Sequence, residues 1–240
     1  MENYYTEERQ NNYGVDERNR KYLDFLGKRA YLTAGNKVVR FSNKLVFSNG
    51  NTKTNLHEAP ERKHNDIKFF SRHSRKRFMN LISQINLRQY QTVLFITTTF
   101  HNIFPNNEKE LKNYLARFLK KLLRINNNFA YTWRLEFQKR GAPHFHLFLF
   151  LPYKLNFHQE ENLKSKIIVA WNELLKDKSA LTFKHSVDIQ NTANKKNVFA
   201  YVTKYTCKED ECKNDKYSGR RWGYSQNLNI SEIESFPVQN

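Results

Sequence analysis

Residues 129–151 read FAYTWRLEFQKRGAPHFHLFLFL. Two runs rich in β-branched and aromatic residues, 129–138 and 144–151, flank the short connection Lys139-Arg140-Gly141-Ala142-Pro143. Such a pair predicts two antiparallel strands that lie side by side. Side chains alternate along a strand, so Trp133, Leu135 and Phe137 take one face with Phe145, Leu147 and Leu149. Arg134, Glu136, Gln138, His144 and His146 take the other. Positions 144 and 146 then sit about 7 Å apart on that face. One side of this hairpin asks for a packed layer of helices, and the other offers chemistry.

Working outward, VLFITTTF (93–100) reads as a strand. Leu111, Tyr114, Leu115, Phe118, Leu119 and Leu122 follow at helical spacing. Beyond the hairpin come a helix over 159–175, a fourth strand over 183–189 and a further helix over 197–208. The order is β-α-β-β-α-β and then a helix. It predicts an α+β fold with a central antiparallel sheet of about five strands, a split β-α-β arrangement with helices on one face. The other face stays open for a site. This domain is placed at residues 90–230, followed by a polar tail over 231–240.

Residues 1–89 read as a basic, partly ordered extension. Its candidate DNA-binding parts are a hairpin over 37–49 and a helix within 67–87. That helix carries Arg72, Arg75, Lys76 and Arg77, as suited to a solvated face as to phosphate contact.

Composition narrows the partner. Lys and Arg number 41 against 23 Asp and Glu, a net charge of +18, and aromatics make up 15% of the chain. Aromatic content at that level excludes a disordered polycation, and a folded core in a basic shell expects a polyanion. Nucleic acid leads, with an anionic membrane second. Two cysteines, Cys207 and Cys212, are too few for a disulfide framework or a four-thiolate zinc site. No apolar run is long enough to span a bilayer and no signal peptide is read. A soluble, cytoplasmic protein with no membrane partner and no small-molecule substrate is expected. No G-x-x-x-x-G-K motif is present, so no P-loop motor is read.

Four groups of residues carry candidate chemistry. Glu136, His144 and His146 on one face form a three-donor set suited to a divalent ion that must also touch a substrate oxygen. The plain alternative is two half-exposed histidines, with Glu136 in a surface salt bridge to Arg134 or Lys139. Tyr201 and Tyr205 share a helix face at i and i+4, with Lys204 and Lys208 alongside. A phenol has a pKa near 10 and attacks well at neutral pH only with help from a metal or a cation. Thr97 and Thr99 share a strand face. Arg220, Arg221 and Trp222 combine guanidiniums with an aromatic, which suits phosphate pairing with base stacking or, equally, packing on the core.

Taken in order, these motifs resemble the HUH endonuclease superfamily, above all the rolling-circle replication initiators of microvirus-type single-stranded DNA phages and related plasmids. The strand with Phe95, Thr97, Thr99 and Phe100 is similar to the first family motif. Glu136, Gly141, Pro143, His144 and His146 are similar to the second. Tyr201, Lys204, Tyr205 and Lys208 are similar to the third, and Gly219 to Gly223 resembles a segment that follows the catalytic helix.

The resemblance implies Mg²⁺ or Mn²⁺ held by Glu136, His144 and His146. It implies attack by Tyr201 or Tyr205 on single-stranded DNA at a replication origin, leaving a 5′-phosphotyrosine and a free 3′-hydroxyl. Lys204 and Lys208 would stabilise charge. A host helicase and polymerase in a bacterial cytoplasm would be the partners. A transposase or relaxase with the same chemistry, and a non-catalytic module of the RNA-recognition type, are the alternatives. A non-haem iron oxygenase site fits poorly with the basic charge.

Overall fold

The structure is a computed structural model that describes residues 37–41, 44–48, 69–192, 217–232 and 234–237. The chain divides into a smaller unit (1–39, 46–54 and 235–240) and a larger one (40–45 and 55–234). A three-stranded sheet has the order β2-β1-β8, from β1 (Lys37–Phe41), β2 (Lys44–Ser48) and β8 (Glu234–Pro237). The hairpin expected over 37–49 is therefore present.

The larger unit is built on a five-stranded antiparallel sheet of β3 (Thr92–Thr99), β4 (Ala130–Phe137), β5 (Pro143–Leu151), β6 (Val187–Asn191) and β7 (Trp222–Tyr224). Its order is β6-β3-β5-β4-β7. The four strands of the two β-α-β halves thus interleave as fourth, first, third, second, the split arrangement expected. β4 and β5 are joined by a turn in which Gly141 adopts φ 80°, a left-handed conformation that side chains other than glycine tolerate poorly. Its amide donates to the Gln138 carbonyl at 2.8 Å, and the Gln138 amide donates to the Ala142 carbonyl at 3.0 Å.

Two crossover helices cover one face. Helix α2 (Glu108–Ile125) starts where the Asn107 side chain accepts from the Glu110 amide. Glu108 and Glu110 in its first turn and Arg124 in its last complement the helix dipole. Helix α3 (Phe157–Asn172) starts in a capping box between Asn156 and Gln159. Both lay apolar faces on the sheet: Leu111, Leu115, Phe118 and Leu122 from α2, Leu163, Ile167 and Trp171 from α3. They meet Leu94, Ile96, Leu135, Phe137, Phe145, Leu147 and Leu149. Trp171 sits at the centre, with its ring edge-on to Phe100, Phe118 and Phe145.

The opposite face is covered over part of its area. Helix α1 (Arg72–Gln84), capped by Ser71, packs Phe78, Leu81 and Ile82 against Val93, Phe95, Phe148 and Phe150. The helix expected in the extension is thus integral to the sheet, and a boundary at 89/90 would cut through this packing. Past Phe95 and Phe148 the same face turns polar, and that end carries the site.

A second correction concerns residues 183–185. Their alternation predicts a strand, but they lie in a short helix, α4 (Ala180–His185), with β6 starting at Val187. The Ser179 hydroxyl accepts from the Thr182 amide, while the Asp177 carboxylate accepts from the Thr182 hydroxyl and the Ser179 amide. This side-chain cap outweighs the strand-like alternation of the segment. Among the described residues no helix is long and apolar enough to cross a membrane.

Candidate active site

The polar end of the sheet is assembled by register. β5 lies between β3 and β4, with His146 opposite Thr97 on one side and Arg134 on the other. One step along the same face, His144 lies opposite Thr99 and Glu136. The alternation that buries Leu135, Phe145 and Leu147 under the helices therefore gathers Glu136, His144, His146, Thr97 and Thr99 on the other face. Asp188 on β6 lies opposite Thr97 and is exposed.

His146 is held on three sides. Its ring stacks on Phe95 with centroids 5.6 Å apart and planes 10° apart. Nδ1 lies 3.1 Å from Thr97 Oγ1, and Nε2 lies 3.0 Å from Glu136 Oε2. A neutral imidazole satisfies both contacts by donating from Nε2 to the carboxylate and accepting the Thr97 hydroxyl proton at Nδ1. In the other tautomer Nδ1 donates to Thr97, and the Nε2 lone pair faces the carboxylate oxygen, an arrangement that calls for a cation between them.

His144 sits in a different environment. Its ring centroid is 6.3 Å from that of His146, and its Nε2 is buried with no hydrogen-bond partner among the described residues. Burial, with the neighbouring His146 adding to it, pushes its pKa down to about 4. His144 is therefore neutral near pH 7 and keeps a nitrogen lone pair available, the state in which imidazole serves as a metal ligand.

One carboxylate and two imidazoles are a donor set that fits a divalent cation, and the unpartnered His144 Nε2 agrees with that use. The donors do not converge on one point. Among the described residues, no three His, Cys, Asp or Glu side chains are grouped so as to hold a metal ion. Glu136 instead engages His146.

Spacing suggests Arg134 only as a surface partner of Glu136, and the structure corrects this. Its side chain is 0% exposed. The guanidinium lies 4.8 Å from the centre of the Phe70 ring, and Nη1 lies 3.8 Å from Glu136 Oε2. Arg140, in the β4–β5 turn, donates through both terminal nitrogens to the carbonyls of Phe100 and His101, tying the exit of β3 to that turn. The signal for Arg134 is its shared parity with Glu136 on β4; Phe70, the residue that covers it, is distant in the chain.

The remaining candidate residues separate into groups. Arg72, Lys76 and Arg77 on α1 are exposed and Arg75 is half-buried. Arg220 is exposed. Arg221 is buried; its guanidinium donates to the Tyr217 carbonyl at 2.8 Å and lies 4.8 Å from the Phe137 ring centre. A guanidinium so enclosed serves the fold and cannot reach a phosphate. Trp222 stacks on Phe78 at 4.7 Å and donates to Ser74 Oγ at 2.9 Å, so its indole anchors α1 to the sheet edge. Tyr201, Lys204, Tyr205 and Lys208, with the helix expected over 197–208, lie outside the described residues, as do Cys207 and Cys212.

Residues 93–210 match a family model described as Replication-associated protein ORF2. The matched stretch begins in β3 and takes in Thr97, Thr99, Glu136, His144 and His146 as well as Tyr201 and Tyr205. It associates this part of the chain with replication. No curated protein matched the chain. Among solved structures, a hypothetical protein, ORF119, from Sulfolobus islandicus rod-shaped virus 1 aligns over 58% of this chain and 97% of its own, at 15% identity and a TM-score of 0.34. That superposition is too loose to bear on fold or function.

Proposed function

We propose that the protein is a replication initiator that nicks single-stranded DNA at an origin and forms a covalent tyrosine intermediate. The observation that carries this reading is the clustering of Glu136, His144, His146 and Thr97 at one end of the sheet, inside the stretch that matches replication-associated proteins. A sheet built only to stack bases would present aromatic side chains there. This one presents two imidazoles, a carboxylate and two threonines.

Glu136, His144 and His146 would hold Mg²⁺ or Mn²⁺. When bound, the cation supplies Lewis acidity toward a phosphate oxygen. Phe95 and Thr97 orient the His146 ring, and Glu136 fixes the ring from the other side. The low proton affinity of His144 keeps it a ligand at neutral pH. Tyr201 or Tyr205 attacks phosphorus: the phenolic oxygen–phosphorus bond forms, the bond to the 3′-oxygen breaks, and the 3′-oxygen takes up a proton. Lys204 and Lys208 stabilise the phenolate or the crowded phosphate. The phosphotyrosine conserves the phosphodiester energy and lets strands be rejoined. The free 3′-hydroxyl primes a host polymerase, and a host helicase opens the duplex.

The test uses labelled single-stranded circular DNA containing candidate origins, with Mn²⁺, resolved on a denaturing gel. Wild type is expected to linearise the circle and to stop when EDTA is added. His144→Ala is expected to bind DNA and cut none. A folded wild type that binds these circles but leaves them closed defeats the proposal and leaves a binding module.

A further inference from the structure

Arg134 sets an electrostatic condition on the site. It lies on the same face of β4 as Glu136 and opposite His146 on β5. Its guanidinium is fully enclosed beneath the Phe70 ring, and Nη1 lies 3.8 Å from the Glu136 oxygen that also meets His146 Nε2 at 3.0 Å. A guanidinium does not deprotonate in a protein. A permanent positive charge therefore stands directly behind the one carboxylate of the donor set, where water screens it little.

The formal charges can be added. Glu136 contributes one negative charge, Arg134 one positive charge, and two neutral imidazoles contribute nothing. Affinity for a hard divalent cation is tuned largely by the anionic charge of its ligands. Here that charge is offset from within the fold. Phe70, which covers the guanidinium, is followed closely by Arg72 and His73 on the exposed side of α1, so the surroundings add positive charge.

We infer that Arg134 makes cation binding at Glu136, His144 and His146 conditional on a nucleic-acid phosphate. The phosphodiester brings the negative charge that Arg134 cancels, so cation and strand bind together and neither binds tightly alone. This rests on the reading of the site given above and adds a reason for its selectivity: without a strand in place, the site holds little metal. By linkage, the factor by which the strand tightens the cation equals the factor by which the cation tightens the strand.

The experiment titrates Mn²⁺ into the full-length protein and follows free Mn²⁺ by electron paramagnetic resonance. The protein is measured alone, with a short single-stranded oligothymidylate, and with the same oligomer carrying uncharged methylphosphonate linkages; each oligomer's own Mn²⁺ uptake is subtracted. The phosphodiester strand is expected to tighten Mn²⁺ about tenfold or more, and the methylphosphonate strand is expected to leave it unchanged.

Arg134→Met is expected to bind Mn²⁺ about tenfold more tightly than wild type without any strand. Arg134→Lys, which keeps the charge, is expected to behave as wild type. The three-way comparison on wild type needs no variant to fold. Equal Mn²⁺ affinity with and without the phosphodiester strand overturns the inference, and so does an Arg134→Met chain that folds but binds Mn²⁺ no more tightly. Absence of Mn²⁺ binding in every arm, wild type with strand included, overturns the underlying assignment of the three ligands as well.

Discussion

Replacing Glu136 by Gln should cost the protein stability as well as activity, and the size of that cost can be worked from Arg134. Glu136 is 8% exposed and Arg134 is fully buried, with 3.8 Å between carboxylate oxygen and guanidinium nitrogen. Removing one partner of a buried ion pair typically costs about 3–5 kcal/mol, because the other charge stays enclosed without compensation. Two features reduce this. The separation is long for a direct salt bridge, and the Phe70 ring still offers its face to the guanidinium.

A loss of about 2–3 kcal/mol is expected for Glu136→Gln. For a fold of this size that lowers Tm by about 4–12 °C. Calorimetry at pH 7 in chelator-treated buffer measures it without any contribution from metal. The double variant Arg134→Met/Glu136→Gln should recover much of the loss, since neither charge is then buried. Residues placed for chemistry often relax the fold when removed. A Glu136→Gln chain as stable as wild type, or more stable, would refute the argument that Arg134 depends on this carboxylate.

Other outcomes follow from the same contacts. Gly223 leaves no room for a side chain, since a Cβ there would sit 2.7 Å from Trp133 Nε1; Gly223→Ala should cost about 1–3 kcal/mol in urea denaturation. Trp222→Ala removes the stack on Phe78 and the hydrogen bond to Ser74, so it should cost about 3–5 kcal/mol and raise amide exchange selectively in α1. His144 has a folded pKa of about 4, below its unfolded value near 6.5, so the folded state takes up its proton later than the unfolded state. Its contribution to stability is complete above about pH 6.5 and is lost as pH falls toward 4; His144→Gln should flatten stability across that window in metal-free protein.

The β4–β5 hairpin is legible because its alternation is strict over both strands and a glycine marks the turn. Parity alone places Glu136, His144 and His146 on one face, and the register of β3 brings Thr97 to them. The interleaved sheet follows from the order of elements. What stays hidden depends on contacts between distant segments. The basic residues of α1 suggest a free helix, yet Phe78, Leu81 and Ile82 on its other side pack on the sheet. Arg221 and Trp222 look like nucleic-acid contacts because guanidinium and indole serve that role as readily as packing; the rings of Phe137 and Phe78 decide it.

Residues 183–189 alternate as a strand does, and only the cap formed by Asp177, Ser179 and Thr182 turns the first of them into α4. The burial of Arg134 is not readable from spacing, since Phe70 reaches it from outside the hairpin.

The most direct measurement is the chemical identity of the bond between protein and DNA. The wild-type protein would react with an origin-containing single strand and Mn²⁺. After exhaustive nuclease digestion, the linked peptide would be sequenced by mass spectrometry. The account predicts a nucleotide joined through its 5′-phosphate to Tyr201 or Tyr205, with no linkage formed in EDTA or in the Tyr201→Phe/Tyr205→Phe chain. Cleaved strands with free 5′-phosphates and no attached peptide, or a nucleotide linked to any other residue, would contradict it.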